Sequence, residues 1–207
     1  MPTPTHVPAG TDVLADAVRR LVDAVVRTQV PAATVTEAAA AVDAVTAALS
    51  GDLREGPYTP DLTDPFGNPV SLVTGPAHPY APPVRIVAGA DGATARFRLG
   101  STYEGPPGLV HGGMLALVLV LDHVLGQAAL GAGHGGMTVS LELTYLAPTA
   151  IGSDLVAQAH VVSVDGRKVS LVGSVRSGDT TTVTARGLFL ALDREKAAAL
   201  FPHLTAS

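Results

Sequence analysis

Along this chain the spacing of apolar residues changes period once. From Thr11 to about Ser50 it is helical: Leu14, Val18, Leu21, Val22 and Val25 recur at three- and four-residue steps and form one stripe. Asp12 is placed to cap that helix and Pro31 to end it. Thr34-Val35-Thr36-Glu37 then reads as a capping box opening a second, Ala-rich helix that Gly51 closes. The two predict an antiparallel helical hairpin that packs on a neighbour and carries no chemistry. From Val84 onward the period is two. Residues 84–87 and 93–99 flank the turn Gly89-Ala90-Asp91-Gly92 and predict a hairpin. Four more strand-like runs come at 137–146, 155–164, 168–176 and 181–192, and short turns at 164–167 and 177–179 make the last three an antiparallel meander. From Val139 to Leu146 the alternation is clean, one face apolar and the other polar.

Between the second and third strands lie residues 114–130, MLALVLVLDHVLGQAAL. Their unbroken apolar run, 114–121, is eight residues, whereas a membrane-spanning helix needs about 20. Asp122, His123 and Gln127 interrupt the second half of the segment, so the reading is a helix buried inside a protein. Two strands, one apolar helix and four strands, with no strand–helix alternation, exclude a doubly wound or barrel α/β fold. They predict an α+β fold: a curved antiparallel sheet wrapped around one long central helix, with an N-terminal helical hairpin extension. The chain then divides into a helical extension (1–51), a Pro- and Gly-rich connecting segment (52–83), the α+β domain (84–193) and a C-terminal tail (194–207). Residues 194–201 of that tail read as a short terminal helix. The connecting segment is either a cover or a linker.

Composition narrows the chemistry. The chain has 207 residues, no cysteine and a formal net charge of -5. Absence of Cys removes disulfides, thiolate zinc sites, iron–sulfur clusters and a cysteine nucleophile. An acidic balance with no Trp argues against nucleic acid, which needs a basic face and stacking surfaces. The first ten residues lack a basic stretch leading into an apolar one, so no secretory leader is expected and the expected location is cytoplasmic. No two His stand at metal-ligand spacing on a helix, and no Ser lies in a Gly-x-Ser-x-Gly context, so neither metal hydrolysis nor a serine elbow is expected.

The strongest local signal is Glu104-Gly-Pro-Pro-Gly-Leu-Val-His-Gly-Gly113, which runs straight into the apolar helix. The leading N–H groups of a helix lack intrahelical partners, and glycines let an oxygen approach the backbone. That specifies either a carbonyl-polarising site or a turn built for tight helix–sheet packing. Asp122 is the second signal, because a carboxylate in an apolar helix is costly unless it is paired or functional. His123 points about 100° away from it and reads as a satisfied interior or interface histidine; His134 reads as a loop residue.

These residues, together with Asp122-His-Val-Leu-Gly126, Met137-Thr-Val-Ser-Leu-Glu-Leu-Thr-Tyr-Leu-Ala-Pro148 and Gly166-Arg167-Lys168, resemble the hotdog-fold acyl-CoA thioesterases of the PaaI/THEM4-like branch. The resemblance spans about residues 82–192. It implies a hotdog fold, subunits paired edge to edge into a homodimer or a dimer of dimers, and thioester hydrolysis at sites shared between subunits. Acyl-CoA is the implied substrate, with no cofactor beyond the CoA it carries, no metal, no nucleic acid and no membrane span. Carried over, His111 and Gly112 match the motif whose imidazole and backbone N–H hold the thioester carbonyl. Asp122 matches the acid that acts on water or as nucleophile, and Thr138 a hydroxyl that helps place the water. Gly113, Leu115, Val118 and Leu119 fall along the acyl pocket. Arg167 and Lys168 are candidates for the CoA phosphates, or an ordinary solvated turn pair. One departure stands out: most relatives carry the acid about nine positions after the His, where this chain has Val120, and Asp122 comes two later. Two residues turn a helical side chain by about 200°. Either the insertion is absorbed at the helix start or in a bulge, or the site is rearranged, and the chain is then a non-catalytic hotdog protein that binds acyl thioesters or serves as an assembly partner.

Overall fold

A computed structural model describes residues 6–56, 58–59, 68–82, 84–117 and 121–191, with Leu117, Leu121 and Asp122 described by their backbone. Six strands form one antiparallel sheet: β1 (Arg85–Gly89), β2 (Gly92–Phe97), β3 (Gly136–Tyr145), β4 (Leu155–Asp165), β5 (Lys168–Ser177) and β6 (Thr180–Ala191). Their order is β1-β2-β4-β5-β6-β3, so the expected β4-β5-β6 meander occupies the centre. The first of the last four strands, β3, swings to the outer edge and among the described residues pairs only with β6. The α+β class expected from the order of elements is the observed one.

The apolar helix region comprises α3 (Gly112–Leu117) and α4 (Leu121–Gly131). Val124, Leu125, Ala128 and Ala129 recur at helical spacing on α4 and are 0–1% exposed. They press on the inward residues of the sheet, Leu155, Val169, Leu171, Val183 and Phe189. Each buried Leu or Val of this kind contributes about 1.5–3 kcal/mol relative to an exposed one. That face makes the core and fixes α4 across the sheet. At the sheet's edge the same alternation buries less: on β3 only Leu141 and Leu143 are half-buried, while Met137 and Val139 stay 48% and 59% exposed.

The N-terminal region departs from expectation in three ways. Helix α1 (Thr11–Arg27) starts after Gly10 at φ 84°, with Asp12 inside its first turn rather than capping it. The cause is local: both the amide and the hydroxyl of Thr11 donate to Pro8 O, which closes the turn one residue earlier. Pro31 does not end that helix, which stops at Arg27; it opens α2 (Ala32–Leu49). A proline fits there because its fixed φ suits a helix start and it has no N–H to lose. Thr34 therefore lies inside α2, and the capping box does not form. Finally, the two helices do not make a packed hairpin, for every residue of α2 is exposed.

Only the first half of α1 docks. Ala15 is 2% exposed, and the Arg19 guanidinium donates to Ala81 O at 2.9 Å, Pro76 O at 2.8 Å and His78 O at 3.2 Å while pairing with Asp16. One Arg fork thus satisfies three loop carbonyls and lashes residues 76–81 to the helix. This part of the connecting segment lies against the domain, with Ala77 and Ala81 buried. The short helix expected at 194–201, and Val118 and Leu119 of the acyl-pocket set, lie outside the described residues.

Candidate active site

Residues 104–113 form a self-braced turn. Glu104 accepts the Gly108 N–H at 2.5 Å, and Gly105 N donates to Leu109 O at 2.9 Å. The His111 amide donates to Tyr103 O at 2.9 Å. Burial pushes the Tyr103 phenol up from its ordinary range, while the Arg19 guanidinium pulls the other way. A Cβ on Gly105 would lie 2.8 Å from His111 Cα, so only glycine lets the strand-like leg 104–105 press against the histidine backbone.

The next residues set the histidine ring. The Gly113 N–H donates to His111 Nδ1 at 3.0 Å. A ring nitrogen that accepts carries no proton, so the neutral imidazole holds its proton on Nε2 and presents a donor there. The carbonyl of that same Gly112–Gly113 peptide accepts from Tyr145 Oη at 2.8 Å. The peptide is therefore held at both its polar atoms, by Tyr145 on one side and His111 on the other. The Gly112 N–H, one position earlier, has no hydrogen-bond partner among the described residues. A groove of about 340 Å3 opens beside it, lined by Leu109, Val110, Leu115, Tyr145 and Leu146 among others. Chemically this is one free backbone N–H beside an apolar trough, with the imidazole N–H of the preceding residue, and both are groups suited to holding a carbonyl oxygen.

Of the other expected residues, Leu115 borders this groove, while Thr138 stands on β3 and Arg167 and Lys168 at the β4–β5 turn. Asp122 is in the first turn of α4. Thr138 stands on β3 opposite Phe189, at a bulge between Thr138 and Ser140. It is seven residues from Tyr145, roughly 23 Å at about 3.3 Å per residue, so one chain does not bring Thr138 to the His111 turn. Leu115 is buried at 2% exposure beside the groove. Arg167, in the β4–β5 turn, donates from Nε to Ala191 O at 2.9 Å and is partly buried against the end of β6; Lys168 beside it is exposed. His123 meets Thr74 Oγ1 at 3.1 Å, the satisfied interior histidine its position implied. It borders a separate hollow of about 630 Å3 between α1, the connecting segment and α4. Among the described residues no cluster of three or more His, Asp and Glu side chains could hold a metal.

Sequence reasoning gave Tyr145 no role. It stood within the Thr-Tyr-Leu-Ala-Pro stretch but 33 positions from the peptide it holds, and the pairing of residues 108–110 with 149–151, just past β3, brings them together. Tyr103 and Glu104 were equally invisible as braces.

A helix region cradled by an antiparallel sheet, with a His-Gly-Gly turn at its start, is the hotdog arrangement. Residues 107–186 match the thioesterase superfamily model. The crystal structure of a thioesterase superfamily protein is 34% identical, with a TM-score of 0.79 over 92% of this chain and 94% of that one. The acyl-coenzyme A thioesterase THEM4 of Bos taurus is 36% identical over 104 residues, 48% of this chain and 41% of the relative. The acyl-coenzyme A thioesterase THEM5 of Homo sapiens is 33% identical over 102 residues, 48% of this chain and 40% of the relative. The chain thus spans about 41% of the length of the curated relatives it matches. It belongs to the thioesterase superfamily.

Proposed function

We propose that the chain hydrolyses acyl-CoA thioesters to a free acid and CoA. The observation that carries this reading is the His111–Gly113 turn, where the Gly112 N–H, without a partner among the described residues, borders an apolar groove and the adjacent imidazole, a donor at Nε2, is oriented by the Gly113 N–H. The thioester carbonyl oxygen sits between these two donors, which stabilise the negative charge that develops as the carbonyl carbon becomes tetrahedral. Asp122 takes a proton from water, the water oxygen bonds to the carbonyl carbon, and the C–S bond then breaks. The electron pair leaves on sulfur, which ends as the CoA thiol after taking up a proton. Thr138 helps hold the water. Gly113, Leu115, Val118 and Leu119 line the acyl channel, and Arg167 and Lys168 face the CoA phosphates.

Two copies build each site. Within one chain Thr138 and the His111 turn sit at opposite ends of β3, and one edge of β3 has no strand partner among the described residues. Antiparallel pairing of two β3 strands centred between Leu141 and Glu142 sets Thr138 of one copy opposite Tyr145 of the other, which supports edge-to-edge homodimers with shared sites.

The test is a panel of acyl-CoAs assayed by release of free thiol. Wild-type protein turns over at least one chain length, and Asp122→Asn loses that turnover. No hydrolysis on any chain length, or an unchanged rate in the variant, refutes the reading. A second reading, non-catalytic binding of acyl thioesters or service as an assembly partner, is favoured by Val120 at the position where relatives carry the acid. It gives saturable CoA-ester binding without hydrolysis.

A further inference from the structure

The domain does not account for the chain between Arg20 and Leu53. Every residue from 20 to 56 except Asp23 is exposed. Within this arm stand ten exposed Val and Leu side chains, from Leu21 at 37% to Leu53 at 67%. Soluble monomers seldom leave so much contiguous apolar surface uncovered.

The pattern on α2 says what kind of body covers it. Val35, Ala38, Val42, Val45 and Leu49 alternate three- and four-residue steps, the a/d spacing of a helix that packs along another helix. At about 100° per residue these five positions share one narrow face, and Ala40 lies diametrically opposite. Glu37 and Asp43, the only charged residues of α2, fall about 120° to either side of that seam. Charge is therefore kept off the seam at both flanks. Alanine within the seam admits a close backbone approach, which a helix partner can use.

No helix of the same chain fills this role among the described residues. The apolar face of α4 is already buried against the sheet, and the inward half of α1 is taken up by residues 76–81. A bilayer suits the helix poorly, although its length and composition reach the threshold for a span. Eighteen residues make about 27 Å at 1.5 Å per residue, at the short end for a hydrocarbon core of about 30 Å. The helix also carries two acids and no Lys or Arg to meet anionic headgroups. A second copy of this chain supplies what is missing: an identical seam of identical length, whose flanking acids point away from the contact. The 18 residues of α2 run about 27 Å, and the same arm of a second copy presents a seam of matching spacing along that whole length. The arm belongs to a wider architecture, since the crystal structure of the related superfamily protein matches 92% of the chain, which omission of the arm would not allow.

We infer that α2 is an intermolecular clasp, packing through the Val35–Ala38–Val42–Val45–Leu49 seam against the same arm of a second copy. This contact is separate from the β3 edge and does not depend on the chain's catalytic reading.

The absence of native cysteine makes the test direct, because any interchain disulfide reports the introduced position. Val42→Cys is made at the middle of the seam and Ala40→Cys on the opposite face, each in the full chain and each oxidised at low micromolar concentration. The clasp requires Val42→Cys to cross-link into covalent dimers several-fold more than Ala40→Cys. Adding Val45→Asp to Val42→Cys should then lower cross-linking several-fold while circular dichroism stays unchanged. Equal cross-linking from the two faces, or none from Val42→Cys, overturns the inference. So does co-flotation of wild-type protein with phosphatidylcholine–phosphatidylglycerol vesicles that Val45→Asp abolishes, which would assign the seam to a membrane.

Discussion

Tyr145→Phe isolates the bracing of the candidate oxyanion site from its chemistry. The variant keeps the ring that packs on Gly112, where a Cβ would meet it at 3.3 Å, and removes only the hydroxyl that donates to Gly112 O at 2.8 Å. A neutral hydrogen bond of this type contributes about 0.5–1.5 kcal/mol net. Tyr145 is 52% exposed, so water replaces the lost donor and the cost to stability falls at the low end. The effect on turnover is different in kind. The freed carbonyl belongs to the peptide whose N–H orients His111, so the imidazole donor loses alignment when the thioester oxygen becomes charged. If all the bracing energy is expressed in the transition state, the loss is about twofold to twelvefold in kcat, since about 1.4 kcal/mol is a factor of ten. KM should change little. The assay is thiol release from the preferred acyl-CoA, which the Cys-free chain does not contaminate, alongside a thermal melt. An unchanged kcat refutes the bracing. A large fall in melting temperature with kcat preserved would make Tyr145 a structural residue instead.

Three other perturbations probe the turn, the core and the surface charge. Gly105→Ala places a methyl 2.8 Å from His111 Cα, so the histidine must move; a displacement of about 1 Å costs on the order of 100-fold in kcat/KM, and a near-wild-type value would show that the turn yields harmlessly. Leu125→Ala empties a fully buried site on α4, for which about 2–5 kcal/mol is expected. In a chain of this size that lowers the melting temperature by about 2–4 °C per kcal/mol, and a loss under about 1 kcal/mol in urea titrations would contradict the packing. Asp154 is held below the ordinary carboxylate range by its hydrogen bond from Arg98, so its folded value lies under its unfolded one. Its contribution is present above about pH 4 and is lost as pH falls through the lower, folded value. The stability gap between wild type and Asp154→Asn should therefore close in strongly acid solution, and a gap that widens there would reverse the assignment.

The sheet was legible because its alternation carries its own direction. Residues such as Leu155, Ala157 and Ala159 face inward by period alone. Strand order along the chain was enough to reject an α/β fold. The central helix was legible from its apolar run, and Val124, Leu125, Ala128 and Ala129 supply the one face of it that the sheet buries. The N-terminal helices were legible only as helices. A stripe such as Leu14–Val25 states that something covers it, never what, and the hairpin expectation supplied the neighbouring helix by default. Thr34-x-x-Glu37 misled for a related reason: Pro31 offers an equally good helix start three residues earlier, and helix formation favours the longer segment. At the site, His111 and Gly112 announced themselves through glycine spacing. Tyr145 could not, because its role is a contact across 33 residues.

Edge strand and arm bear on one another. A catalytic group divided between chains is useful only if the chains do not part during turnover, and the β3 edge alone offers little burial to hold them. Met137, Val139 and Tyr145 are each about half exposed, and only Leu141 and Leu143 turn toward the core. A strand pair gains its backbone hydrogen bonds at the expense of bonds to water, so its net yield per residue is small. The apolar surface able to make association persistent lies instead on α2, remote in sequence from every candidate site residue. If both contacts join the same pair of chains, weakening the seam with Val45→Asp should raise the protein concentration needed for full thioesterase activity while leaving the rate at saturation unchanged. If they join different pairs, activity keeps its concentration dependence and only the assembly mass falls.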